Sequence, residues 1–121
     1  MILADTSVWI DHLRSGDADL RNQLEAGNII VHPRVLGELA CGVIPRREAV
    51  LSLIGRLPRV TVASDVEVLS FIETHRLMGR GIGLVDAHLL ASVSLTPETL
   101  LWTRDRSLAR LTTLLALTAF A

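Results

Sequence analysis

The stretch Met1-Ile2-Leu3-Ala4-Asp5-Thr6-Ser7 opens the chain and determines how the rest of it is interpreted. Apolar residues lead directly into a carboxylate, and two small hydroxyl residues follow it. An apolar run bounded in this way is typical of a strand buried on both faces of a parallel sheet. Asp5 then stands where the strand ends. Because an ionised carboxylate beside a buried strand is costly without compensation, we expect backbone N–H groups, an arginine or a metal ion near it.

The length and composition predict one domain, residues 1–121, with an aliphatic core. Hydrophobic residues make up 50% of the chain and aromatic residues only 3%, so the core must consist mainly of leucine, valine, isoleucine and alanine. All 12 basic residues are arginine. The absence of lysine excludes any mechanism that requires a catalytic lysine. The net charge of −1 argues neither for nor against binding to nucleic acid.

The single cysteine and the lack of long apolar runs predict a soluble cytoplasmic protein. Cys41 cannot form an internal disulfide, and we expect it to pack as a small hydrophobic residue. No basic segment precedes the apolar start, so no signal peptide is indicated. No apolar run approaches the roughly 18 residues that a membrane span needs.

The hydrophobic pattern alternates between short apolar runs and helical spacing. Strands are predicted at residues 2–4, 28–31, 59–62 and 99–102, and the apolar tail 112–121 fits either a strand or a helix. Helices are predicted at about residues 7–14, 18–26, 33–41, 45–57, 65–78, 84–93 and 106–110. Ser64 and Glu67 form a capping box at the start of one of them. This alternation predicts an α/β fold, a central parallel sheet of four or five strands flanked on both faces by helices.

Acidic residues recur at the carboxyl edge of the predicted sheet, where sites form in such folds. Asp5 ends the first strand, and Asp105 follows the strand at 99–102 with two residues in between. Asp86 lies in the first turn of the helix that leaves the glycine loop at 79–83, and Glu38 lies at the edge of an apolar helix stripe. If these acids converge, they repel one another strongly unless a cation lies between them.

An all-oxygen donor set without paired histidines or cysteines suits Mg²⁺ or Mn²⁺. Such a cluster can activate a water and stabilise a leaving oxygen during phosphodiester cleavage. Ser7 and Thr103 each lie two residues from an acid, and either could support a carboxylate by a hydrogen bond. The alternatives are structural: Asp5 and Asp105 could cap helices, Asp86 could serve the helix dipole, and Glu38 could point to solvent. Arginines near this edge could hold phosphates: Arg34, Arg46, Arg47, Arg80, Arg104 and Arg106.

These residues resemble the motifs of PIN-domain ribonucleases, and specifically of the VapC toxins of bacterial toxin–antitoxin pairs. The opening Asp5-Thr6-Ser7 resembles the family's first acidic motif, and Glu38 within residues 34–39 resembles the second. The segment from Ile82 to Ala91 carries Asp86 and is the most specific match. Thr103-Arg104-Asp105 resembles the fourth motif, although Leu108 stands where many members carry an aromatic residue. The likeness covers nearly the whole chain.

The resemblance implies a Mg²⁺- or Mn²⁺-dependent endoribonuclease that cuts tRNA or ribosomal RNA, with Asp5, Glu38, Asp86 and Asp105 as its metal-binding and catalytic residues. It also implies a homodimer and a VapB-type antitoxin that blocks the site. The rival hypotheses are a catalytically silent PIN-like module that binds RNA or protein, and a Mg²⁺-dependent phosphatase. The phosphatase needs a second aspartate where this chain has Ser7. A phosphorelay receiver needs a lysine that the chain lacks.

Overall fold

A four-stranded, wholly parallel sheet forms the centre of the protein. The computed structural model describes residues 1–120. Its strands are β1 (Ile2–Ala4), β2 (Ile29–Ile30), β3 (Leu100–Trp102) and β4 (Thr118–Ala119), arranged in the order β2-β1-β3-β4. The predicted α/β fold with a parallel sheet is therefore confirmed.

Seven helices connect and flank the strands in the described part of the chain. They are α1 (Thr6–Ser15), α2 (Ala18–Glu25), α3 (Pro33–Cys41), α4 (Arg47–Gly55), α5 (Asp65–His75), α6 (Leu84–Leu95) and α7 (Arg106–Leu114). Within residues 1–120, no helix is long and apolar enough to cross a membrane. The capping box at the start of α5 is present, because Ser64 and Glu67 each accept the other's backbone N–H.

The core is aliphatic, and β1 lies at its centre. Leu3 is fully buried and is in register with Ile30 on one side and Leu101 on the other. The middle of α6, from Ala87 to Val93, is buried without interruption. Asp5 directly follows β1 and Asp86 lies in the first turn of α6, so two deeply buried elements position these acids.

The strand predicted at 59–62 is wrong, because after Val60 the backbone N–H groups bind side-chain hydroxyl groups instead of a neighbouring strand. Only one parallel bridge forms, between Val31 and Arg59. Beyond it, the N–H of Thr61 donates to Thr96 Oγ1 and the N–H of Ala63 donates to Ser92 Oγ. The segment is thus held by hydroxyl groups of α6 and by the residue that follows it.

The other differences concern the ends of elements. The apolar tail is both helix and strand, because α7 continues to Leu114 and β4 follows; residue 121 lies outside the described residues. Helix α4 begins at Arg47 rather than at Pro45, and α5 ends at His75 because Arg76 adopts a left-handed conformation with φ +51°. The expectation that Cys41 is packed in the interior is wrong, since it is exposed at the end of α3.

A buried histidine joins α3, α6 and the segment between them. His32 is fully buried at the N-cap of α3, where Nδ1 accepts the N–H of Arg34 at 3.0 Å. The ring proton therefore lies on Nε2, which donates to Ser92 Oγ at 3.1 Å. Burial, followed by the charges of His88, Arg34 and Arg59, lowers the pKa of His32 from 6.5 to about 4.

This low pKa predicts a loss of stability in acid. As the pH falls below 6.5, the unfolded chain binds a proton that His32 in the folded protein accepts only near pH 4. The free energy of unfolding should therefore fall by about 3 kcal/mol from this group alone between pH 7 and pH 4. Urea unfolding at several pH values measures this loss. His32→Asn is the matched variant, because it keeps a cap acceptor without titrating; an equally steep loss in this variant would contradict the assignment.

Candidate active site

Asp5 is buried at the carboxyl end of β1 and begins α1. Its backbone N–H donates to Trp102 O at 2.8 Å, which brings the ends of β1 and β3 together. Its carboxylate oxygen Oδ1 accepts the N–H of Thr6 at 2.6 Å, so Asp5 is the N-cap of α1. The side chain therefore both caps a helix and lies at the sheet edge where the sequence predicts the site.

Two hydroxyl groups hold the other carboxylate oxygen of Asp5. Thr103 Oγ1 donates to Asp5 Oδ2 at 2.6 Å, and Ser7 Oγ donates to the same oxygen at 3.1 Å. Each hydroxyl also accepts a backbone N–H of the segment after β3: Ser7 Oγ accepts that of Arg104, and Thr103 Oγ1 accepts that of Asp105. Both residues predicted to support an acid thus contact Asp5, and they fix its orientation.

Glu38 is linked to Asp5 through a residue that the sequence analysis did not single out. Thr6 Oγ1 donates to Glu38 Oε1 at 2.6 Å, while the N–H of Thr6 binds Asp5. Glu38 is exposed, so it does not point into the core. The position of Thr6 directly after Asp5 was the only signal in the sequence.

Asp105 is an exposed residue at the start of α7. Its carboxylate accepts the N–H of Leu108 at 2.9 Å as the helix N-cap. Its backbone is tied to Thr103, and through that hydroxyl to Asp5. The capping function proposed as an alternative is therefore present at both Asp5 and Asp105, and in each case it leaves the residue at the same edge of the sheet.

Asp86 lies in the first turn of α6, and its pKa is raised by burial and by the other acids of the site. Its carboxylate accepts the N–H of Gly83 at 3.2 Å. Burial is the largest cause that raises the pKa of Asp86, and the negative charges of Asp5, Asp105 and Glu38 raise it further, against the lowering effect of the Gly83 N–H. The negative charges of the three other carboxylates thus act on Asp86, so the four predicted acids share one region of negative potential.

The donor set fits a hard divalent cation. Within residues 1–120, no three histidine, cysteine, aspartate or glutamate side chains are close enough to form a complete metal cage by themselves. The site is instead an open group of carboxylates whose mutual repulsion is apparent at Asp86. A divalent cation relieves this repulsion, and oxygen donors favour Mg²⁺ or Mn²⁺. The complete ligand set of Asp5, Glu38, Asp86 and Asp105 remains a prediction.

Several of the candidate phosphate-binding arginines are engaged within the protein. Arg34 pairs with Asp65 at 3.0 Å, and Arg47 donates to the carbonyl oxygens of Gly42 and Ala40. Arg104 binds Asp11 at 2.5 Å and also binds Asp17. Arg104 therefore fastens α1 and the start of α2 to the segment that carries Thr103 and Asp105.

The hydroxyl group of Thr103 should contribute to activity through its bond to Asp5. Thr103→Val keeps the shape of the side chain but removes this bond and the acceptor for the Asp105 N–H. We expect RNA cleavage to fall about tenfold, because one hydrogen bond to a charged group is worth about 1.5–3 kcal/mol and water can replace part of it. Steady-state cleavage rates measure the effect. Thr113→Val on the exposed end of α7 is the control, and equal rates for both variants would contradict this function of Thr103.

The chain is similar to known proteins of one family. The PIN domain family profile matches residues 2–114. Ribonuclease VapC32 of Mycobacterium tuberculosis (strain CDC 1551 / Oshkosh) is 49% identical over 108 residues, which cover 89% of this chain and 87% of the relative. The protein of the same name from strain ATCC 25618 / H37Rv matches with the same identity and coverage.

Proposed function

Because this chain belongs to the PIN-domain family and to its VapC ribonucleases, we propose that it is a Mg²⁺- or Mn²⁺-dependent endoribonuclease toxin that hydrolyses phosphodiester bonds in tRNA or ribosomal RNA. The observation that carries the metal dependence is the raised pKa of Asp86 in the field of Asp5, Asp105 and Glu38. A bound cation would reduce the repulsion between these carboxylates and the reacting phosphate of a polyanion.

The position of each residue suggests its function in the site. Asp5, directly after β1, and Asp86, on α6, would provide the main carboxylate ligands of the cation. Glu38 and Asp105 would complete the ligand set from the more exposed side. Ser7 and Thr103 hold Asp5 in a single orientation. When bound, the cation supplies positive charge that acidifies an attacking water and stabilises the leaving oxygen.

Metal-dependent cleavage is the direct test of this proposal. The purified protein is incubated with a pool of total tRNA and ribosomal RNA, with Mg²⁺ or Mn²⁺ and separately with EDTA. Discrete cuts that require the cation are the expected result, and the mapped ends identify the substrate. A folded protein that makes no cuts with either cation would contradict the proposal and favour a catalytically silent module.

The partners are also part of the proposal. We propose that a VapB-type antitoxin binds the protein and blocks the site, that the protein is a homodimer, and that it acts in the cytoplasm as a single domain. Addition of the cognate antitoxin to the cleavage reaction should abolish the cuts. Light scattering coupled to gel filtration should give twice the 13.2 kDa mass of the chain, and a mass of one chain at all concentrations would exclude the dimer.

A further inference from the structure

Of the candidate phosphate-binding arginines, Arg46, Arg80 and Arg106 have no side-chain partner in the described part of the protein, and the last two lie close along the chain to Asp86 and Asp105. Arg80 and Arg106 are exposed, and neither forms an ion pair or a side-chain hydrogen bond with any residue in 1–120. Arg34, Arg47 and Arg104, by contrast, are held by carboxylates or carbonyl oxygens of the protein itself. An arginine without an internal partner keeps all its donors available for a ligand.

The backbone brings Arg80 and Arg106 to the same side of the site. Gly81 has φ +80°, and a Cβ atom at this position would lie 3.0 Å from Ser107 Oγ, so the loop between α5 and α6 packs against the first turn of α7. Arg80 directly precedes Gly81, and Arg106 directly precedes Ser107. Asp86 lies in the first turn of α6, directly after this loop, and Asp105 is the N-cap of α7, so each arginine is close along the chain to one acid of the cluster.

We propose that Arg80 and Arg106 form a basic rim that binds backbone phosphates of the RNA beside the acid cluster. This inference rests on the proposed function and adds the residues that receive the substrate. A divalent cation offsets only part of the charge of the four carboxylates, so an approaching phosphate chain still meets repulsion at the site. Guanidinium groups bind phosphate oxygens through paired donors, and contacts of this kind position a nucleic acid without reading its sequence.

The test measures binding of total tRNA by fluorescence anisotropy, in EDTA so that no cleavage occurs. Counterion release predicts about a fourfold loss of affinity per lost phosphate contact at ~0.15 M salt, hence about 15-fold for a variant with both Arg80→Gln and Arg106→Gln. The slope of log affinity against log salt should become shallower by about 1.4. In cleavage assays the variant should raise KM and leave kcat unchanged, because the lost contact is made equally before and during the reaction.

Two matched variants separate a local rim from a general effect of charge. Arg110→Gln removes the same charge as Arg106→Gln, one turn further along α7; it should bind almost as the wild type does, whereas Arg106→Gln alone should bind about fourfold more weakly. Gly81→Ala keeps every charge but strains the left-handed backbone at φ +80° and crowds Ser107, so it should shift the loop and weaken binding as well. Equal affinity and salt slope for Arg106→Gln and Arg110→Gln, which each remove one charge, would overturn the inference. Failure of the wild type to cleave RNA would instead count against the proposed function, and the two failures are therefore distinguishable.

Discussion

An Asp5→Asn protein is expected to cleave RNA about a thousandfold more slowly than the wild type while it keeps its fold. The substitution removes one negative charge from the most deeply buried acid of the site, which is only 5% exposed. Stabilisation of transition-state charge by a held cation is worth several kcal/mol, and each 1.4 kcal/mol corresponds to a factor of ten in rate.

The fold should survive because asparagine can keep the helix cap and can form rearranged bonds with the neighbouring hydroxyl groups. Asparagine caps helices about as well as aspartate, so its oxygen can accept the N–H of Thr6. The Thr103 hydroxyl can rotate and accept from the new amide. Cleavage rates and thermal unfolding are measured on the same preparations, with Asp19→Asn in the exposed first turn of α2 as the control. A folded Asp5→Asn protein that retains metal-dependent cleavage would show that Asp5 does not hold the cation.

Asp86→Asn should slow RNA cleavage about as much as Asp5→Asn does. It should nevertheless make the metal-free protein more stable. The raised pKa of Asp86 means that its ionised form is less favourable in the folded state than in the unfolded chain. This cost is present at neutral pH and disappears in acid as Asp86 takes up a proton. Asparagine removes the cost at all pH values and keeps an acceptor for the Gly83 N–H.

Thermal unfolding in EDTA tests whether ionised Asp86 destabilises the metal-free protein. At pH 7 the melting temperature of Asp86→Asn should exceed that of the wild type by a few degrees, and the difference should shrink as the pH is lowered. Addition of Mn²⁺ should stabilise the wild type more than the variant. If Asp86→Asn melts below the wild type at pH 7 in EDTA, Asp86 is not in a repulsive field and the acids do not converge.

The residues at the sheet edge could be predicted from the sequence, because the order and direction of the strands alone place them side by side. A buried strand that ends at Asp5 and another that ends before Thr103 must place these residues side by side if the strands are parallel. The structure pairs β1 with β3 in this way, and Thr103 donates to Asp5. No side-chain detail was needed for this prediction, since the period and order of the elements were sufficient.

The features that the sequence did not predict depend on side chains that meet across the fold. Residues 59–62 have the composition of a strand, but hydroxyl groups of Ser92 and Thr96 bind the N–H groups of Thr61 and Ala63 and end the pairing. The cap formed by His32 and the bond from Thr6 to Glu38 likewise require the position of a distant element. The engaged arginines follow the same rule, because their partners lie on other helices or loops.

Titration of Mn²⁺ followed by electron paramagnetic resonance tests most directly that the acids converge on a cation. Free Mn²⁺ gives a strong signal that weakens on binding, so affinity can be measured without RNA or catalysis. We predict that the wild type and Asp19→Asn bind Mn²⁺ with equal affinity, and that Asp5→Asn and Asp86→Asn each bind at least about tenfold more weakly. Equal binding by all four proteins, or no binding by the wild type, would contradict the metal site on which the account depends.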